Sequence, residues 1–99
     1  MKRDVRILRS AQRDLSEIAA YLRCDAPAAA EHTIDDLLQG IDRLGAFPES
    51  GPGPRDERLA RLGFRYLAQG RYLVFYKVTR SQVRIDRVLH QRRAYERLL

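Results

Sequence analysis

Tryptophan is absent from the chain and cysteine occurs once, at Cys24, so no internal disulfide can brace the fold. That thiol has no second cysteine and no nearby histidine in sequence, so no metal or redox role is assigned to it and no cofactor is expected. No apolar run approaches the roughly 18 residues of a membrane helix, and no charged-then-apolar leader opens the sequence. A cytoplasmic protein without membrane contact is therefore expected. Acidic residues are scarce where basic ones abound: residues 61–99 hold 10 Lys/Arg against 2 Asp/Glu, while residues 1–60 hold 9 against 11. The formal net charge of +6 thus hides a weakly acidic front and a strongly basic tail. Such a field attracts phosphate backbones, acidic protein faces or anionic lipid, and composition alone does not choose among them.

What is present suits one domain. Ninety-nine residues with 44% hydrophobic content can build a single core spanning 1–99, but not two. The stretch "DVRILR" (4–9) alternates Val5 and Ile7 with Arg6 and Leu8, the pattern of a short edge strand. Ser10 is a candidate N-cap for a helix whose apolar stripe is Ala11, Leu15, Ile18, Ala19 and Leu22, with Arg13, Asp14, Glu17 and Arg23 mostly off it. Pro27 in "DAPAAAEH" breaks that helix and fits the first turn of the next, giving a helical hairpin. The second arm carries Ala30, Ile34, Leu37, Leu38, Ile41 and Leu44 on one face, and Gly45 is placed to end it in the left-handed conformation. Gly40, inside this arm, costs about 1 kcal/mol against alanine unless a neighbour approaches closely.

"FPESGPGPRDER" (47–58) holds three of the four prolines and reads as a loop crossing from helices to strands. Three alternating segments follow, at 64–68, 71–78 and 83–90, joined by "QG" and "TRSQ", both suited to hairpins. The expected fold is α+β: an N-terminal strand, a helical hairpin, then a three-stranded antiparallel meander with the helices on one face and the other face partly open. A short helix is expected to close the chain. In the middle strand Tyr72, Val74, Tyr76 and Val78 share one side, and Arg71, Leu73, Phe75 and Lys77 the other. In the last strand both sides mix charge with apolar residues, so alternation leaves open which of Arg87 and His90 faces the open side.

The candidates for chemistry are Arg65, Lys77, Arg87, His90, Arg92, Arg93 and Tyr95. Taken singly, each has an ordinary structural role available: a solvated strand cation, a histidine at a sheet edge, a tyrosine pinning a terminal helix. Taken together, their charge asks for an acidic or phosphate-bearing partner. Metal-independent cleavage of RNA would need a general base, a general acid and cations for the developing phosphorane. His90 or Tyr95 could serve as acid and the arginines as phosphate clamps, but no carboxylate stands in an evident pairing with His90.

The pieces "SAQRDLSEIAAYL", "DLLQGIDRLGAFPESG", "LGFRYLAQGRYLVFYKV" and "VRIDRVLHQRR", in this order and spacing, resemble the RelE/ParE toxins of bacterial type II toxin–antitoxin modules across nearly the whole chain. "RVLH" with Gln91, Arg92 and Arg93, together with "YLVFY", is more similar to ParE. The resemblance implies a toxin that inhibits DNA gyrase and is neutralised in a hetero-oligomer with a cognate ParD-like antitoxin. Target contacts would then fall on Arg65, Lys77, Arg87, His90, Arg92, Arg93 and Tyr95. Antitoxin contacts would fall on Val5, Ile7, Leu15, Ile18, Leu22, Leu37 and Ile41, beside the hairpin. The RelE branch implies instead a ribosome-dependent endoribonuclease acting on mRNA, with Arg65, Arg87, His90 and Tyr95 as its catalytic set; a late tyrosine, several residues after His90, departs from the nuclease pattern. A further class is a module without toxicity that acts only in complex with its antitoxin.

Overall fold

A computed structural model describes residues 2–51, 53 and 57–92. The expected C-terminal helix, with Arg93 and Tyr95, lies outside the described residues. Along the chain run β1 (Asp4–Ile7), α1 (Arg9–Asp25), α2 (Pro27–Arg43), α3 (Glu57–Arg61), β2 (Arg65–Gln69), β3 (Tyr72–Val78) and β4 (Gln82–His90). The sheet order is β1-β4-β3-β2. The last three strands form the expected antiparallel meander, and β1 joins β4 in parallel as an edge strand.

One residue, Ala26, separates α1 from α2, and Pro27 occupies the first turn of α2, where its missing N–H is no loss. The hairpin packs on one face of the sheet. Ala11, Leu37, Ile41 and Leu44 meet Tyr72, Val74, Tyr76, Val83, Ile85 and Val88 there, with Leu15, Ile18 and Ile34 at the margin. At Gly40 α2 lies close against β2: a methyl group on it would lie 3.2 Å from Leu67 Cδ2 and 2.9 Å from Gln69 Oε1. The helix accepts the weaker residue because the neighbour is close.

Two local expectations are corrected. Ser10 does not cap α1; Leu8 holds the cap position without a side-chain bond, and the Ser10 hydroxyl donates instead to the Asp86 carbonyl at 2.6 Å. Gly45 does not adopt positive φ, which among the described residues only Gly63 and Gly70 do. It is small because the end of α2 presses on the start of β1. An added Cβ would meet the Arg3 carbonyl at 2.7 Å, and the Arg3 N–H donates to the Gly45 carbonyl at 2.8 Å. Gly70, at φ +60°, makes the β2–β3 turn with Arg71, since Gln69 pairs with Tyr72.

The second face is only partly open. Leu59 from α3, an element inside the stretch read as loop, packs with Phe64 and Tyr66 over Leu73, Phe75 and Leu89. Between helix and strand, the segment from Phe47 to Gly51 is fastened by Tyr76. This fully buried phenol donates to the Pro48 carbonyl at 2.8 Å and accepts from the Gly51 N–H at 3.1 Å.

Candidate functional site: the groove between hairpin and sheet

β4 breaks its own alternation. Tyr76 pairs with Ile85 and Phe75 with Arg87, leaving Asp86 as the extra residue of a β-bulge. Below the bulge Val83 and Ile85 face the helices; above it Val88 does. This one-residue phase change places His90 on the helix side, where its ring meets Tyr72 edge-on with centroids 5.6 Å apart. Arg87, paired with Phe75, falls on the other side of the alternation, but its guanidinium reaches Asp14 on α1.

The bulge lies beyond the end of β1, so the edge of β4 needs other partners, and α1 supplies them. The Ser10 hydroxyl takes the Asp86 carbonyl, and an Asp14 carboxylate oxygen accepts the Val88 N–H at 2.9 Å. The same carboxylate is gripped by Arg87 through Nε at 2.7 Å and Nη2 at 3.0 Å. Asp14 is 5% exposed and sits on the buried stripe of α1, not off it. A two-pronged, charge-assisted contact of this kind is among the stronger side-chain pairs. Its hydrogen bond raises Arg87 further above the ordinary guanidinium range.

Around this node opens a cleft of about 790 Å³ between the tip of the hairpin and the β2–β3 turn. Ile18, Leu22, Leu37 and Tyr72 give it an apolar floor. Tyr21, 63% exposed, stands at the mouth. The charges are sorted by wall: Asp14, Glu17, Asp25 and Asp36 on the helices, Arg71 and Arg92 on the sheet end beside the His90 ring. Burial pushes the Tyr72 phenol above its ordinary value, keeping it a neutral donor. The Arg92 N–H donates to His90 Nδ1 at 3.2 Å.

A sequence profile of the ParE toxin of type II toxin–antitoxin systems matches residues 5–95. The chain belongs to the ParE toxin family. Toxin ParE1 of Caulobacter vibrioides is 39% identical over 88 residues, 87% of this chain and 86% of that protein. Putative toxin Y4kP of Sinorhizobium fredii is 32% identical over 89 residues, covering 90% and 88%. Among solved structures, the chromosomal ParDE toxin–antitoxin system from P. aeruginosa gives a TM-score of 0.75 at 18% identity over 90% of this chain and 96% of that one. The RelBE2 toxin–antitoxin complex from Mycobacterium tuberculosis gives 0.61 at 22%, covering 92% and 100%. The last two show the shared fold.

Within this ParE-type toxin the site residues named from sequence separate into groups. Ile18, Leu22 and Leu37 line the cleft, as do His90 and Arg92. Val5, Ile7 and Leu15 are half-buried against the core, and Ile41, at 2% exposure, lies inside it. Arg65 is held in place, donating from Nη1 to the Gly51 carbonyl at 2.7 Å. Lys77 sits with Nζ 4.4 Å from the centre of the Phe64 ring. Arg87 is committed to Asp14. The structure therefore brings His90 and Arg92 together and holds Arg65 and Arg87 in separate contacts. Sequence reading missed Asp14, Tyr21 and Arg71. Asp14 carried a signal: it stands three residues after Ala11 and four before Ile18, on the stripe's own spacing.

Proposed function

We propose that this ParE-type toxin inhibits DNA gyrase in the bacterial cytoplasm and is neutralised by a ParD-like antitoxin seated in the cleft. The observation that carries the reading is the family match through residues 5–95. The cleft supports the antitoxin half of it. Its apolar floor suits the hydrophobic face of a partner segment, and its sorted walls favour one orientation of that segment's charges. The sheet end supports the target half, because Arg71 and Arg92 are exposed cations beside His90 that make no ion pair among the described residues.

The nuclease reading gains no support from the geometry. Its four proposed residues include Arg65 and Arg87, whose guanidinium groups are already bonded to Gly51 and Asp14, and Tyr95, outside the described residues. Supercoiling of relaxed plasmid by purified gyrase is the deciding measurement. Inhibition by the toxin, weakened when Arg92 and Arg93 are both replaced by alanine and relieved by the antitoxin, is the expected result. Unimpaired supercoiling at large toxin excess removes the gyrase reading. New mRNA 5′ ends that vanish in His90→Ala would install the nuclease in its place.

A further inference from the structure

The sheet face turned away from α1 and α2 carries an arrangement that the cleft does not use. In the strand registers Arg6 lies opposite Arg84, and Arg84 opposite Lys77. Their chain neighbours Val5, Ile7, Val83, Ile85, Tyr76 and Val78 all point into the helix-side core. Alternation therefore sets the three cations side by side on the other face. With strands about 4.8 Å apart, they form a straight row roughly 10 Å long across three strands. Arg6 and Arg84 are exposed and Lys77 is half-buried. None of the three forms an ion pair among the described residues.

Two carboxylates stand nearby. Asp4 lies on the same face of β1 as Arg6 and is exposed. Asp86, at the bulge, interacts with Lys77 and Arg84, and burial raises its carboxyl above the ordinary value against their pull. Like charges directly opposite one another destabilise a sheet. Three adjacent cations beside two carboxylates keep an excess of positive charge and some mutual repulsion, which a ligand with closely spaced negative charge would relieve. Duplex DNA carries one charge per roughly 1.7 Å of axis. A single strand would want an open aromatic platform for its bases; among the described residues the rings on this face are Phe75, fully buried, and Phe64 and Tyr66, both half-buried, with the Lys77 ammonium over Phe64.

We propose that the row Arg6, Arg84 and Lys77 binds the phosphate backbone of duplex DNA, as a site separate from the cleft. The contact is measured with DNA alone, so its failure and that of the gyrase reading are distinguishable. Fluorescence anisotropy of a short labelled duplex, titrated with the full chain over a salt series, tests it. Replacing Arg6, Arg84 and Lys77 together by glutamine should make the slope of log affinity against log salt shallower by about 0.9 per cation removed. A control that removes equal charge from the helices, Arg13→Gln with Arg23→Gln and Arg43→Gln, should keep the parent's slope. Arg84→Gln alone should melt no lower than the parent, which separates loss of the site from loss of the fold. Equal weakening by both triple variants, tighter binding of a single strand, a lower melting temperature for Arg84→Gln, or no binding by the parent would each overturn the proposal.

Discussion

Asp14 does two jobs with one carboxylate, neutralising Arg87 and satisfying the Val88 N–H at a sheet edge that no strand covers. Its removal leaves a partly buried cation and an orphaned backbone donor. Asp14→Ala should therefore cost about 3 kcal/mol, the lower end for a broken buried pair because Arg87 retains some solvent. Asp14→Asn, which keeps an acceptor for Val88, should cost roughly half as much. Urea denaturation of the two variants checks this, and an alanine loss within experimental error of zero would show the pair to be dispensable. At this scale the sequence was only partly legible. Helical spacing marks Asp14 as inward-facing, but its partner lies 73 residues away and local pattern carries no information about it.

Among the elements, periodicity and turn chemistry sufficed for the hairpin, the meander and the edge strand, because each is specified within a few residues of itself. They did not reach the bulge or α3. The bulge arises where β1 ends and α1 takes over the edge of β4. Helix α3, the five residues Glu57–Arg61, is too short to show a period and is defined by Leu59 docking on the far face of the sheet. The Phe47–Gly51 segment is likewise set by distant groups. At Gly51 an added Cβ would overlap the Tyr66 carbonyl oxygen and lie 2.6 Å from the Tyr76 hydroxyl. The first of these is backbone and has little room to give. Gly51→Ala should thus destabilise the chain by about 2 kcal/mol, as overpacking typically does. A thermal melt within about a degree of the parent would contradict this, since a loss of that size lowers Tm by several degrees in a domain of this length.

For the whole molecule, the buried phenols tie stability to alkaline pH. Burial raises Tyr76 above its ordinary value of 10.0, so the folded chain holds that proton more firmly than the unfolded chain. The contribution is complete below about pH 10 and is lost as pH rises through the raised value. Thermal melts between neutral pH and pH 11 should therefore fall steeply at the alkaline end. Tyr76→Phe should begin about 1 to 3 kcal/mol less stable, with the Pro48 carbonyl and Gly51 N–H left unpartnered. Its alkaline decline should be shallower, the remainder belonging to Tyr72, which burial also raises. An undiminished decline would remove Tyr76 from the account. Among the described residues the basic C-terminal part does not converge on one spot: Arg87 is neutralised, Arg71 and Arg92 flank the cleft, and Arg84 and Lys77 share the opposite face with Arg6. The irregularity at Asp86 makes this division possible. Because one supernumerary residue reverses the beat of β4 halfway along, both ends of the strand feed the same hydrophobic layer. Were Asp86 instead to take a regular place in the ladder, His90 would swing out of the cleft and Leu89 into it, whereas deleting Asp86 would straighten the strand and leave both side chains where they are.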